Sequence, residues 1–119
     1  MANINDSLAT LQSIDGAMVS AVVDSASGMI LGHAGTGLNI EVAAAGNTDV
    51  VRAKIKTMKA LGLKESIEDI LITLDSQFHI IRPMAAKEGV FIYLVLAKSK
   101  ANLAMARIKV REVEAALQF

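Results

Sequence analysis

The residues able to do chemistry are few and scattered. Gly32-His33-Ala34-Gly35-Thr36-Gly37 lies between a strand and a helix, where phosphate loops sit, but it lacks the Gly-Lys-Ser/Thr ending and the spacing of a dinucleotide fingerprint. It reads as a flexible strand-to-helix connection, with an anion at the following helix start as the alternative use. His33 and His79 are the only histidines and fall on separate elements, so a metal site would need carboxylates that no spacing supplies. His79, close to Arg82 on one strand, reads as a hydrogen-bonded sheet-edge residue, the alternatives being a buried anion site or a pH switch. Glu68 and Asp69 alternate across a strand and face opposite ways, so they form no acid pair, and Asp69 is left to cap a backbone or meet a partner's lysine. No Gly-x-Ser-x-Gly elbow occurs. With no cysteine, thiolate metal sites, disulfides and cysteine nucleophiles are excluded. These positions assemble no catalytic constellation and call for no cofactor or metal.

The composition points to association instead. A chain of 119 residues makes one domain, 1–119, yet 53% of its residues are hydrophobic and its mean hydropathy is +0.45. A body this small exposes roughly 6,200 Å² when folded, so part of that apolar surface is expected to be covered by another chain. Twelve basic and twelve acidic residues balance, which argues against a nucleic-acid partner. Residues 1–51 carry five acids and no Lys or Arg, whereas 52–64 carry five basic residues and no acid. Nothing at the start resembles a signal peptide, and the longest apolar run, Val90–Ala97, is far short of the ~20 residues that cross a bilayer. No membrane insertion and a cytoplasmic location are the expectations.

The elements that would position these residues follow from spacing. Ile4, Leu8 and Leu11 step as a short helix closed by Asp15-Gly16. Ala17–Asp24 and Met29–His33 form a hairpin across the Ser25–Gly28 turn. Asn39 caps a long helix from about Ile40 to Leu61, ended by Gly62. On its wheel, Ile40, Ala43, Ala44, Val50, Val51, Ile55, Met58 and Leu61 form an apolar arc, and Glu41, Thr48, Asp49, Arg52, Lys56 and Lys59 a charged face. Asp49 is placed to pair with Arg52. Between the two arcs lie Val42, Gly46, Ala53, Thr57 and Ala60, a sector of mostly small groups suited to a helix meeting its twin. Strands are expected at Ile67–Leu74, Gln77–Pro83 and Gly89–Ala97, the last apolar on both faces and therefore central. Leu103, Ala106, Val110, Val113 and Leu117 give a terminal helix. The order α-β-β-α-β-β-β-α implies an α/β sandwich: a five-stranded, largely antiparallel sheet with helices on both faces.

The series Leu8-x-x-Leu11-x-x-Ile14-Asp15-Gly16-Ala17, then Val23-Asp24-Ser25-Ala26-Ser27-Gly28, resembles the opening of the dynein light chain roadblock family. Ile40–Thr48 resembles the start of that family's long helix in prokaryotic members, and 67–74 with 77–83 its paired strands. Asn102–Arg107 resembles the start of its last helix, so the likeness spans about residues 5–118. It implies a roadblock/profilin-like fold and a homodimer whose sheets join through the strand after the long helix. By carry-over, Ile67, Asp69, Ile70, Leu71 and Ile72 would lie at the joining strand, and Val42, Gly46, Val50, Ala53 and Thr57 at the helix contact. It further implies a non-catalytic regulator or scaffold of a Ras-like small GTPase, in cell polarity or motility among prokaryotic members. The partner surface is expected on Thr48, Arg52, Lys56 and Lys59. Two other readings stand beside it: a small-ligand or anion sensor using Gly32–Gly37 with His79 and Arg82, and a purely structural dimer.

Overall fold

A computed structural model describes residues 2–119. Three helices and five strands follow in the expected order. They are α1 (Ile4–Gln12), β1 (Ala17–Asp24), β2 (Met29–Gly35), α2 (Ile40–Ala60), β3 (Ile70–Thr73), β4 (Gln77–Pro83), β5 (Val90–Ala97) and α3 (Leu103–Ala116). The sheet runs β2-β1-β5-β4-β3, with every neighbouring pair antiparallel. β5, apolar at every position, sits at the centre and is buried from Val90 to Leu96.

Alternation along β5 feeds two cores. Ile92, Leu94 and Leu96 pack with Leu8 and Leu11 of α1 and with Ala106, Val110 and Val113 of α3. Phe91, Tyr93 and Val95 pack with Ala44 and Val51 of α2. Two helices therefore cover one face, and α2 alone lies on the other.

Each helix starts on an asparagine. The side chains of Asn3, Asn39 and Asn102 accept hydrogen bonds from the amides of Asp6, Val42 and Met105 at 2.8, 3.2 and 3.1 Å, satisfying donors that the helix leaves free. α2 ends in the expected place for a definable reason. Gly62 adopts φ +72°, its amide bonds Lys59 O, and the Leu63 amide bonds Met58 O, the paired closure of a Schellman motif. Gly35 also cannot be replaced, because a Cβ there would fall 2.1 Å from the carbonyl oxygen of Met18.

Three expectations are corrected. The strand expected over 67–74 is confined to Ile70–Thr73, the residues that pair with Phe78–Ile81 of β4. Ile67 and Asp69 precede it, and so are not part of the edge strand. The segment expected as a loop from Gly32 is strand as far as Gly35, with Ile4 and Leu8 of α1 packed against Gly32. Finally, Val50, Ile55 and Leu61 of the supposed core arc of α2 are exposed. The accessible surface, 6790 Å², is about 10% above the scaling value for this mass, in keeping with an α2 face left uncovered.

Candidate functional site

α2 is held to the sheet by a narrow stripe. Ala44, Thr48 and Val51, spaced four and three, are its buried residues. Val42, Gly46, Val50, Ala53 and Thr57 step along the helix beside that stripe, and all are exposed, Val42 at 67%. Between this flank and the sheet lies an open cavity of about 420 Å³, walled by Leu38, Val42, Gly46 and Val50 and lined also by His79 of β4 and Tyr93 of β5. A Cβ built on Gly46 meets nothing within 4 Å, so nothing in the protomer itself accounts for a glycine in mid-helix. Beyond β4 the sheet ends at β3, which pairs on one side only. An apolar helix flank and an unpaired strand edge are two surfaces a chain normally covers.

A polar chain starts at the sheet-side wall of the cavity, where Tyr93 and His79 lie. The Tyr93 hydroxyl, on a residue 1% exposed, donates to His79 Nδ1 at 2.9 Å, and His79 Nε2–H donates to Gln77 Oε1 at 2.9 Å. The amide oxygen can only accept, so with Oε1 facing the ring the neutral histidine carries its proton on Nε2. The rings meet edge to face at 5.6 Å. The expectation of a hydrogen-bonded His79 holds, although β4 lies one strand inside the sheet edge. Burial pushes the His79 imidazolium below its usual 6.5 and pushes the Tyr93 hydroxyl up, the latter partly offset by Asn47. A histidine held neutral by the fold binds its proton more tightly once unfolded. Stability from this group is therefore complete above pH 6.5 and is lost as pH falls through the lower folded value. Urea unfolding between pH 7.5 and 5 is expected to show that loss, and His79→Gln to remove the part of the slope that His79 contributes.

His79 and Arg82 do not come together. Three residues apart on a strand, they face opposite sides: His79 meets Tyr93 beneath α2, whereas Arg82 Nε donates to Glu114 of α3 at 2.9 Å. The anion site that was the alternative use of that pair is not assembled. Thr48 is also misplaced by the sequence reading, being 3% exposed, with its hydroxyl donating to Ala44 O at 2.7 Å. Bonded to its own helix, the hydroxyl is buried at little cost, and Thr48 cannot meet a partner. Arg52, Lys56 and Lys59 are exposed and form no ion pair among the described residues, so the Asp49–Arg52 pair expected from spacing is not made. Asp69 is bound within its own chain, its two carboxylate oxygens accepting from Arg107 Nε and Nη2 at 2.9 and 3.0 Å. This replaces the lysine of a partner that the sequence suggested. Ile70, Leu71 and Ile72 do lie on the free edge strand.

Sequence reasoning missed Tyr93 and Gln77, whose roles depend on cross-strand neighbours. It also missed Glu114, although a carboxylate four residues from Val110 and one from Val113 on the buried stripe of α3 was a usable signal. Among the described residues no helix is long and apolar enough to cross a membrane.

No protein-family model matches the sequence, and no curated protein matches it. Solved structures do match the fold. A roadblock/LC7 domain from Streptomyces avermitilis is similar with a TM-score of 0.81 at 10% identity, covering 97% of this chain and 94% of that one. MglB of Myxococcus xanthus is similar with a TM-score of 0.81 at 18% identity, over 94% of this chain and 89% of that one. The gliding protein MglB of Thermus thermophilus reaches 0.79 at 16%, over 93% and 82%.

Proposed function

The chain has the roadblock fold over nearly its whole length, and from that premise we propose that it is a cytoplasmic, non-catalytic homodimer that regulates or scaffolds a Ras-like small GTPase. The observation that carries the reading is the uncovered flank of α2 on a sheet whose β3 edge is unpaired. A second copy set edge to edge on β3 would extend the sheet to ten strands, bring the two α2 flanks together at Gly46, and cover the apolar surplus. Val42, Gly46, Val50, Ala53 and Thr57 form the helix contact in this reading, and Ile70, Leu71 and Ile72 the joined edge.

Arg52, Lys56 and Lys59 then lie on the outward surface of the paired helices, open to an acidic partner. Such a regulator acts by orienting groups that the GTPase already holds, and so needs no reactive cluster of its own. The neighbour from Thermus thermophilus is named a gliding protein, and motility or polarity is the setting this reading favours.

The test is capture of GTPases from the source cell with the tagged protein, in the presence of a GTP analogue or GDP, followed by affinity measurement with the purified pair. Preferential recovery with the analogue is expected. Reversing two charges, Arg52→Glu with Lys56→Glu, is expected to weaken that binding at least ~10-fold, equivalent to about 1.4 kcal/mol, with the dimer intact. If the double variant binds unchanged, the partner uses another face. If no GTPase is recovered in either state, the regulatory reading fails and the structural dimer remains.

A further inference from the structure

A second cavity, of about 570 Å³, opens beneath the connection 61–69 at the end of the sandwich where β4 finishes and β5 begins. Its volume suits a large side chain or a short run of peptide. Ile55, Met58, Leu63, Met84 and Phe91 give it an apolar lining, and Ile55 and Leu63 stay exposed. Arg82 and Glu114 meet at its wall, with side chains 14% and 8% exposed. Both Glu114 oxygens are engaged, one by Arg82 Nε and the other by the Ala85 amide at 3.3 Å. The Arg82 Nη groups make no hydrogen bond among the described residues and stay within reach of solvent, which leaves them free to donate to an incoming acceptor.

The surrounding charge selects what can enter. Glu65, Glu68 and Glu88 line the cavity, are exposed, and take part in no ion pair among the described residues. With Arg82 neutralised by Glu114, Lys59 is the one cation set against them among the described residues of the lining, and Arg107, within electrostatic reach of Glu68, is itself paired with Asp69. An excess of two negative charges repels phosphate, carboxylate, nucleic acid and acidic lipid, and attracts cationic groups.

We infer that this cavity docks a segment of a partner polypeptide bearing one or two large apolar side chains flanked by lysine or arginine. The apolar side chain fills the lining, the flanking cations meet Glu65, Glu68 and Glu88, and backbone carbonyls accept from the Arg82 Nη groups. Cation and carbonyl together favour a peptide over a small amphipathic cation, which offers only the first. The inference is independent of the GTPase reading and of the dimer contact, sharing only Lys59 with the outer basic face of α2.

The experiment is selection of phage-displayed random 12-residue peptides on the wild-type protein, with removal of those that also bind the Glu65→Lys, Glu68→Lys, Glu88→Lys triple variant. The expected result is a consensus of large apolar residues flanked by Lys or Arg. The synthetic consensus peptide should lose at least ~10-fold in affinity on the triple variant and on Leu63→Asp, and weaken in 0.5 M salt. All four substitutions fall on exposed side chains, and far-UV circular dichroism checks the folded state. An acidic consensus, no enrichment, or a peptide that binds both variants as tightly as wild type overturns the inference.

Discussion

Gly46→Arg is expected to abolish self-association while making the isolated protomer more stable. A glycine inside a helix costs about 1 kcal/mol relative to alanine, and arginine ranks near alanine in helix preference. Nothing lies within 4 Å of the new Cβ, so the protomer accepts the side chain without moving a neighbour. The melting temperature of the monomer should rise by about 3–6 °C, the shift that ~1 kcal/mol produces in a domain of this size. In a dimer with apposed α2 flanks the same arginine would be forced between two backbones. A weakening of at least ~100-fold, about 2.7 kcal/mol, is then expected from sedimentation velocity over a concentration series. The opposite signs make the result decisive. Should the variant self-associate as tightly as the parent, the flank of α2 is not the contact.

Glu114→Ala is expected to be the most damaging single change to a charged residue. Removing the carboxylate leaves the Arg82 guanidinium largely buried without a counter-ion and takes the acceptor from the Ala85 amide. Loss of one partner of a buried pair typically costs about 3–5 kcal/mol, a large share of the ~5–15 kcal/mol that holds a domain together. Replacing both partners, Arg82→Met with Glu114→Leu, removes the desolvated charges together and is expected to be near neutral or stabilising. Urea unfolding of the single and double variants checks both. A cost below ~1 kcal/mol for Glu114→Ala would place the pair among solvent-screened surface contacts.

Elements whose signals are local were legible in the sequence. The capping Asn39 and the closing Gly62 mark α2 because both act on backbone groups within four residues of themselves. β5 was legible as the central strand because only a strand covered on both faces can be apolar throughout. Alternation overextends β3, because it shows which residues could be strand, whereas pairing decides which are. β4 runs from Gln77 to Pro83, but β3 pairs with it only from Phe78 to Ile81, and Asp69, just before β3, is bound instead to Arg107, 38 residues away in sequence. The wheel of α2 failed for a related reason. It gives the angle of Val50, Ile55 and Leu61 but not how far the sheet beneath them extends. Polarity alone puts Thr48 on the solvent face, although a helical hydroxyl can satisfy itself by sharing the carbonyl four residues back. The separation of His79 and Arg82 was already readable, since residues three apart on a strand must diverge.

The choice of asparagine at the start of every helix bears on how the protein ages chemically. Hydrolysis of a side-chain amide converts asparagine to aspartate. At Asn3, Asn39 and Asn102 the product still carries an oxygen that can accept from the amide three residues on. Its new negative charge also sits at the helix end where negative charge is favoured. Direct hydrolysis at these positions, which takes up water and releases ammonia, therefore leaves the helices seated while moving the balanced net charge one step toward acid with each event. An old molecule would differ from a fresh one in its isoelectric point well before it differed in its fold.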